Sequence, residues 1–267
     1  MKTNFHLMAV TIILLSASLA GCFGDDDSGS DEYDGPIDLI IFYDATSGMI
    51  ESSMNNGQQG PTTGVTLSFD FADSTSEDGN ITKIMLDPDD GSDVIESDPA
   101  EDAVISYEWL THGVFEITLG AEDAEGNTHD IEISVRIDLH AVWTQANTNS
   151  ASMNFDATPD CEDGQPIAER ISIVSSVTNQ DEFPFGGGDT EVTWSLDNPE
   201  GEEVATENSG TIAGGQSESS DLSVDEVVEG IWTITVEVTN GDNVNVENDV
   251  TILYEEGTED SPNPREE

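Results

Sequence analysis

Runs of β-branched and aromatic residues alternating with polar ones recur from residue 37 to residue 254, and they leave few folds open to this chain. The clearest lie between residues 65 and 137: Val65-Thr-Leu67-Ser-Phe69-Asp-Phe71, Ile81-Thr-Lys-Ile84-Met-Leu86, Val104-Ile-Ser-Tyr107-Glu-Trp109, Val114-Phe115-Glu-Ile117-Thr-Leu119-Gly-Ala121 and Ile131-Glu-Ile133-Ser-Val135-Arg-Ile137. A period of two turns every second side chain to one face, so each run reads as a strand with one side in a core and one in water. Turn signals separate them at Glu77-Asp-Gly-Asn80, Asp87-Pro-Asp-Asp-Gly91 and Ala124-Glu-Gly-Asn127. Short strands at this spacing predict a Greek-key sandwich. A further strand is expected over Ile37 to Tyr43.

A second set follows the polar stretch Thr144 to Ser150. Its members are Ser152 to Phe155, Ile171 to Val177, Val192 to Leu196, Thr211 to Ala213, Ile231 to Val238 and Val244 to Tyr254. Asn240-Gly241 between the last two is a hairpin signal. Trp194 and Trp232 are expected as core anchors. The fold class is therefore all-β: two tandem immunoglobulin-like Greek-key β-sandwiches, at 36–139 and 140–254, with a jelly roll as the other winding open to the second. Residues 22–35, rich in Asp, Gly and Ser, read as an acidic flexible tether, and 255–267 as a disordered acidic tail.

Ahead of the tether, an apolar run from Leu7 follows Met1-Lys2 and ends in Leu19-Ala20-Gly21-Cys22. It is too short for a bilayer-spanning helix, which needs about 20 apolar residues, and it reads as a secretory signal over 1–21. Its last four residues resemble the lipobox of prokaryotic lipoproteins at every position. That resemblance implies a diacylglycerol on the Cys22 thiol, cleavage before Cys22, and an extracytoplasmic chain anchored to the membrane through its lipid. Removing the signal leaves one other cysteine, Cys161, and so no intramolecular disulfide.

The chain has 58 Asp and Glu against five Lys and Arg, a formal charge of −53. Nucleic acid is excluded as a natural partner, because phosphate binding rests on Lys and Arg. The folded surface would carry acids roughly 14 Å apart. Such charges are screened in brine, where the Debye length is about 3 Å at 1 M, and hardly at all at 0.01 M, where it is about 30 Å. A marine or halophilic microbe is the implied source.

The stretch Gly113-Val-Phe115-Glu-Ile117-Thr-Leu119-Gly-Ala121-Glu-Asp123-Ala-Glu-Gly126 resembles the Gly-x-Tyr-x-Val-x-Leu-x-Val-x-Asp-x-x-Gly strand and turn of the PKD (polycystic-kidney-disease) repeat. That family is an immunoglobulin-like sandwich of cell-surface proteins. Its upstream Tyr and His fall on Trp109 and Tyr107. Its Asp-Gly-x-Ile and Trp-x-Phe-Gly-Asp-Gly fall on Asp78-Gly79-Asn-Ile81 and Leu86-Asp-Pro88-Asp89-Asp90-Gly91, so Leu86 replaces the hallmark Trp as a core residue. The resemblance implies binding to surface proteins or glycans through loops or strand edges.

Candidate chemistry is thin. No His-x-x-x-His or Cys-x-x-Cys spacing supports zinc, and no Gly-x-Ser-x-Gly elbow is present. Asp44-Ala-Thr46-Ser-Gly48 approaches the metal loop of von Willebrand A domains, but Gly48 stands in place of its second Ser, and a polar turn is the better reading. Calcium is the one candidate cofactor, with Asp87, Asp89, Asp90 and Asp93 clustered at a turn as hard oxygen ligands; a solvated acidic loop is the alternative. Asn80-Ile-Thr82 is a glycosylation sequon. Phe183-Pro-Phe185 forms an apolar tip in an acidic loop. The expected function is a non-catalytic, lipid-anchored surface protein for binding, adhesion or spacing, the alternative being an accessory substrate-binding module of a secreted hydrolase or transporter complex.

Overall fold

In the computed structural model the described residues are 33–161, 164, 166–180 and 188–266. The signal, Cys22, most of the tether and Phe183-Pro-Phe185 lie outside them. The first half supplies β1 (Ile37–Asp38), β2 (Ser47–Asn55), β3 (Gln58–Gln59), β4 (Val65–Asp70), β5 (Thr75–Ser76), β6 (Ile81–Asp87), β7 (Ile95–Ser97), β8 (Val104–Trp109), β9 (Gly113–Asp123) and β10 (Thr128–Thr148). The second supplies β11 (Ser150–Asp156), β12 (Arg170–Asn179), β13 (Glu191–Asp197), β14 (Glu203–Asn208), β15 (Ser217–Val224), β16 (Ile231–Asn240) and β17 (Val244–Leu253). The chain is all-β; none of the described residues is helical.

In the first sandwich β7, β6, β9 and the leading half of β10 form one sheet, opposed by the β4–β8 and β1–β5 pairs. Phe69, Phe71 and Trp109 from the opposing side meet Ile84, Leu86, Phe115, Ile117, Leu119 and Val135 in a common core. Leu86 is fully buried, the core residue it was expected to be. The Trp109 indole donates to the Pro88 carbonyl at 3.3 Å and packs edge-on to Tyr107. The Asp-x-x-Gly turn has a plain physical basis. Asp123 accepts from the amides of Glu125 and Asn127 and from the Asn127 side chain, while Gly126 takes φ +85°. The same carboxylate reaches Ser76 of the opposing side at 2.7 Å.

The second sandwich has the order β15-β12-β17-β10 in one sheet and β11-β16-β13-β14 in the other, every pair antiparallel. Numbering its eight strands from β10 gives 1-8-3-6 and 2-7-4-5, the double Greek key of a jelly roll. Trp194 and Trp232 are buried in its core, as expected, with indoles donating to Ser175 Oγ and the Val228 carbonyl at 2.9 Å.

The structure departs from the sequence reading at several places. The boundary at 139/140 falls inside a strand: β10 runs unbroken for 21 residues. Its Thr128–Ile137 stretch pairs with β9 and its Leu139–Thr148 stretch with β17. Parallel β2 lies along its other edge, from Arg136 to Thr144. The two sandwiches thus share one strand, and residues 35–267 form one compact unit. Next, Asn240-Gly241 does not close a hairpin, because β16 and β17 belong to different sheets. The turn crosses the sandwich, pinned where Thr190 Oγ1 accepts from the Asp242 amide. Gly241 (φ +103°) leaves no space for a side chain there, since a Cβ would come 2.2 Å from the Asp189 carbonyl. Over Ile37 to Tyr43 only β1 is a strand. Finally, the tail is docked: Asp260 and Asn263 make backbone hydrogen bonds to Ser134 and Tyr43. Arg265 bonds Asp70 and Asp73 and stacks over Phe42. Strand β2, missed in a polar stretch, explains Gly48: a Cβ there would lie 2.5 Å from Val65 Cγ1.

Candidate functional site

The sharing of β10 opens a groove on one flank. Beyond β10 on one sheet lies β2; beyond β16 on the other lies β11, the last strand of its sheet. Between them is a groove of about 500 Å³. Its apolar walls come from Ile50 and Met54 of β2, Leu139 and Ala141 of β10, and Met153 and Phe155 of β11. Leu110, 55 % exposed, stands at its mouth, with Asp156 and Asp160 on the rim.

The floor is held by a polar chain that crosses the junction. His112, buried, lies 3.1 Å through Nε2 from the Asp156 carbonyl, so Nε2 carries the proton; Nδ1 then accepts from the Tyr254 hydroxyl at 2.9 Å. Burial lowers the His112 pKa against the pull of the Asp156 carbonyl and nearby carboxylates, and it raises that of the Tyr254 phenol. Both groups are therefore neutral. The Tyr254 amide donates to Asp138 Oδ1 at 2.9 Å, and the Arg136 guanidinium bridges Asp138 and Glu259 at 2.5 and 3.0 Å. Burial raises the Asp138 pKa, opposed by that amide and by Arg136. With both ring nitrogens engaged, His112 is a strut of the groove rather than a base within it.

The other expected residues do not converge. Asp89 Oδ2 accepts from the Glu116 amide at 2.8 Å, and Asp90 Oδ2 from the Tyr107 hydroxyl at 2.5 Å. Asp87 Oδ1 faces the Asp89 amide, while Asp93 is exposed. These oxygens hold the loop against β8 and β9. Among the described residues no three His, Cys, Asp or Glu side chains form a metal-binding group. Asn80 is exposed, its carbonyl bonded to the Ala124 amide. Cys161 is buried in the first core.

The groove itself escaped the sequence reading, although one signal was there. The apolar alternation of Ile131, Ile133, Val135 and Ile137 continues unbroken through Leu139, Ala141 and Trp143, across the assigned boundary.

No family model and no curated protein matches the chain. Among solved structures it is similar to carbohydrate-binding modules of the β-sandwich superfamily, at 12% identity over 84% of this chain and 100% of that one, TM-score 0.31. It is similar also to tripeptidyl peptidase 2, at 7% identity over 83% and 21%, TM-score 0.27. A third likeness is to the fibronectin(III)-like modules of Clostridium thermocellum CbhA, at 11% identity over 81% and 94%, TM-score 0.24. The chain spans about a fifth of the peptidase chain. Likenesses this distant say nothing of what the groove binds.

Proposed function

We infer that this protein is a non-catalytic binding module of the cell surface, anchored by a lipid on Cys22 and held off the membrane by the acidic tether. Its first sandwich is read as PKD-like. The observation that carries the binding reading is the junction groove: apolar walls on three strands, a rim of carboxylates, and a histidine floor with both ring nitrogens engaged. The shared strand β10 supports it, because a site spanning two sandwiches keeps its shape only if they cannot hinge.

Fractionating the native envelope, with pull-down at native salt, tests the reading. The wild-type chain should sediment with membranes and carry a lipidated N-terminal Cys22, whereas Cys22→Ser should be shed into the medium. A partner should be captured, and its capture should weaken when Met153→Glu places a charge in the groove wall. Retention of Cys22→Ser in the membrane would sink the anchor; capture indifferent to Met153→Glu would sink the groove.

A further inference from the structure

The backbone of β11 says what kind of partner the groove accepts. On its inner side β11 pairs with β16 in a register that sets Ser150 opposite Glu237 and Asp156 opposite Ile231. The flanking bonds, Val238 amide to Asn149 carbonyl and Ala157 amide to Gly230 carbonyl, show that the odd-numbered residues point their backbone groups at β16. In an antiparallel pair the residues between them point theirs the other way. Ser150, Ser152, Asn154 and Asp156 therefore direct their N–H and C=O groups out of the sheet edge. The end positions are capped: Thr148 Oγ1 bonds Ser150, and His112 Nε2 donates to the Asp156 carbonyl. No strand takes up the Ser152 and Asn154 backbone groups or the Asp156 amide among the described residues. The Ser152 and Asn154 side chains are turned to the outer face, where they meet Thr235 and Thr233 of β16, and so leave the edge clear.

We propose that the groove captures an extended, basic peptide segment of another protein, which adds to β11 as a further strand with alternate apolar side chains against Met54, Leu139 and Met153. Strand addition supplies affinity through main-chain hydrogen bonds and specificity through the pockets for alternate side chains. β11 spans roughly 20 Å at about 3.3 Å per residue, room for a segment of similar length. Charge selects the partner. The described cations Lys83, Arg136, Arg170 and Arg265 are already bonded to carboxylates. None of them lines the groove, where Asp156 and Asp160 stand at the rim. Pairs formed partly buried at the groove rim are screened less by salt than fully exposed ones. A second copy of this chain is disfavoured, since pairing two β11 edges would bring one acidic rim onto another.

The proposal rests on the reading of the groove as a binding site, and the test separates the two. The probes are a fluorescent peptide of alternating Lys and Val, the same peptide with Glu for Lys, and the Lys-Val peptide N-methylated at alternate backbone nitrogens. Each is titrated into the full chain in molar salt and followed by anisotropy. The Lys-Val peptide should bind, the Glu-Val peptide should not, and N-methylation should weaken binding about tenfold or more, the worth of one or two net hydrogen bonds. Asn154→Pro should do the same from the protein side, because a proline at an outward-facing edge position removes one donor without touching the β16 ladder. Equal binding of the Lys-Val and N-methylated peptides overturns strand addition, whether or not Asn154→Pro folds. Equal binding of the Glu-Val peptide overturns the basic partner. If no peptide binds while the envelope pull-down still captures a partner sensitive to Met153→Glu, the peptide proposal falls and the binding site stands.

Discussion

Ile137 and Leu139 stand on the same face of one strand, two residues apart, yet only Leu139 reaches the second core. Ile137 is sealed within the first sandwich, and Leu139 packs against the cores of both. Side chains two apart on a strand share a face, so β10 passes from one sandwich to the next without changing the side it turns inward. The groove follows from this, because β2 and β11 flank the strand where it changes partners.

His140 ties three strands together at that crossing. Its Nδ1 lies 2.5 Å from Glu51 of β2 and its Nε2 2.8 Å from Asp249 of β17. Burial opposes the charge, but the bonds to Glu51 and Asp249 outweigh it and raise the His140 pKa above its ordinary value of 6.5. The sign is fixed by linkage: the stabilisation is complete below pH 6.5 and is lost as pH rises through the raised folded value. Urea midpoints of wild type and His140→Gln should differ most below pH 6.5, by about 1 kcal/mol at most because the carboxylates are exposed. The two should converge at alkaline pH. A gap that widens with pH would contradict the assignment.

Asp123 works in the opposite direction. Its bonds to Asn127 and Ser76 hold the carboxyl down to about 2, against an ordinary 3.8. The stability this contributes is present above pH 3.8 and disappears as pH falls through about 2. Asp123→Ala should melt lower than wild type at neutral pH, with the difference shrinking across that window. Thermal scans of both proteins across the acid range measure it.

The docked tail stitches the second sandwich back onto the first. Glu259 neutralises Arg136, Asp260 bonds Ser134 and Thr46, and Asn263 bonds Tyr43 and the Ile41 carbonyl. Ending the chain after Glu256 should cost a few kcal/mol: the six hydrogen bonds of Asp260 and Asn263 at about 1 kcal/mol each, less the backbone entropy the freed residues regain, with the exposed Arg265 ion pairs adding little. Urea midpoints of the two lengths give the cost directly.

Salt dependence follows from the charge of −53. The few cations pair locally and leave most carboxylates facing one another across solvent. Dialysis from molar to millimolar salt should destabilise or unfold the protein, read as loss of the strand signal in circular dichroism. An unchanged spectrum would refute the screening argument.

Much of this fold was legible because strand burial writes itself into alternate positions. β4, β6, β8, β9, β12, β13, β16 and β17 lie within a residue or two of their apolar runs. β2 was not legible, since Ser47–Asn55 buries only Ile50 fully and gains its place from parallel pairing with β10. Asn240-Gly241 misled because a tight turn is a local property, whereas which sheet each flanking strand joins is decided by partners far along the chain. The groove was hidden for the same reason: Met54, Leu139 and Met153 meet only once β10 is seen to serve both sandwiches.

The central claim, that the shared strand makes one body of two sandwiches, is tested most directly by urea unfolding at constant molar salt. Circular dichroism follows both sandwiches, and tryptophan fluorescence is weighted to the second, whose core holds Trp143, Trp194 and Trp232. A single coincident transition is predicted, shifted as a whole by about 2 kcal/mol in Leu139→Ala, the low end for truncating a packed leucine. Two separated transitions, with Leu139→Ala moving only one of them, would contradict it.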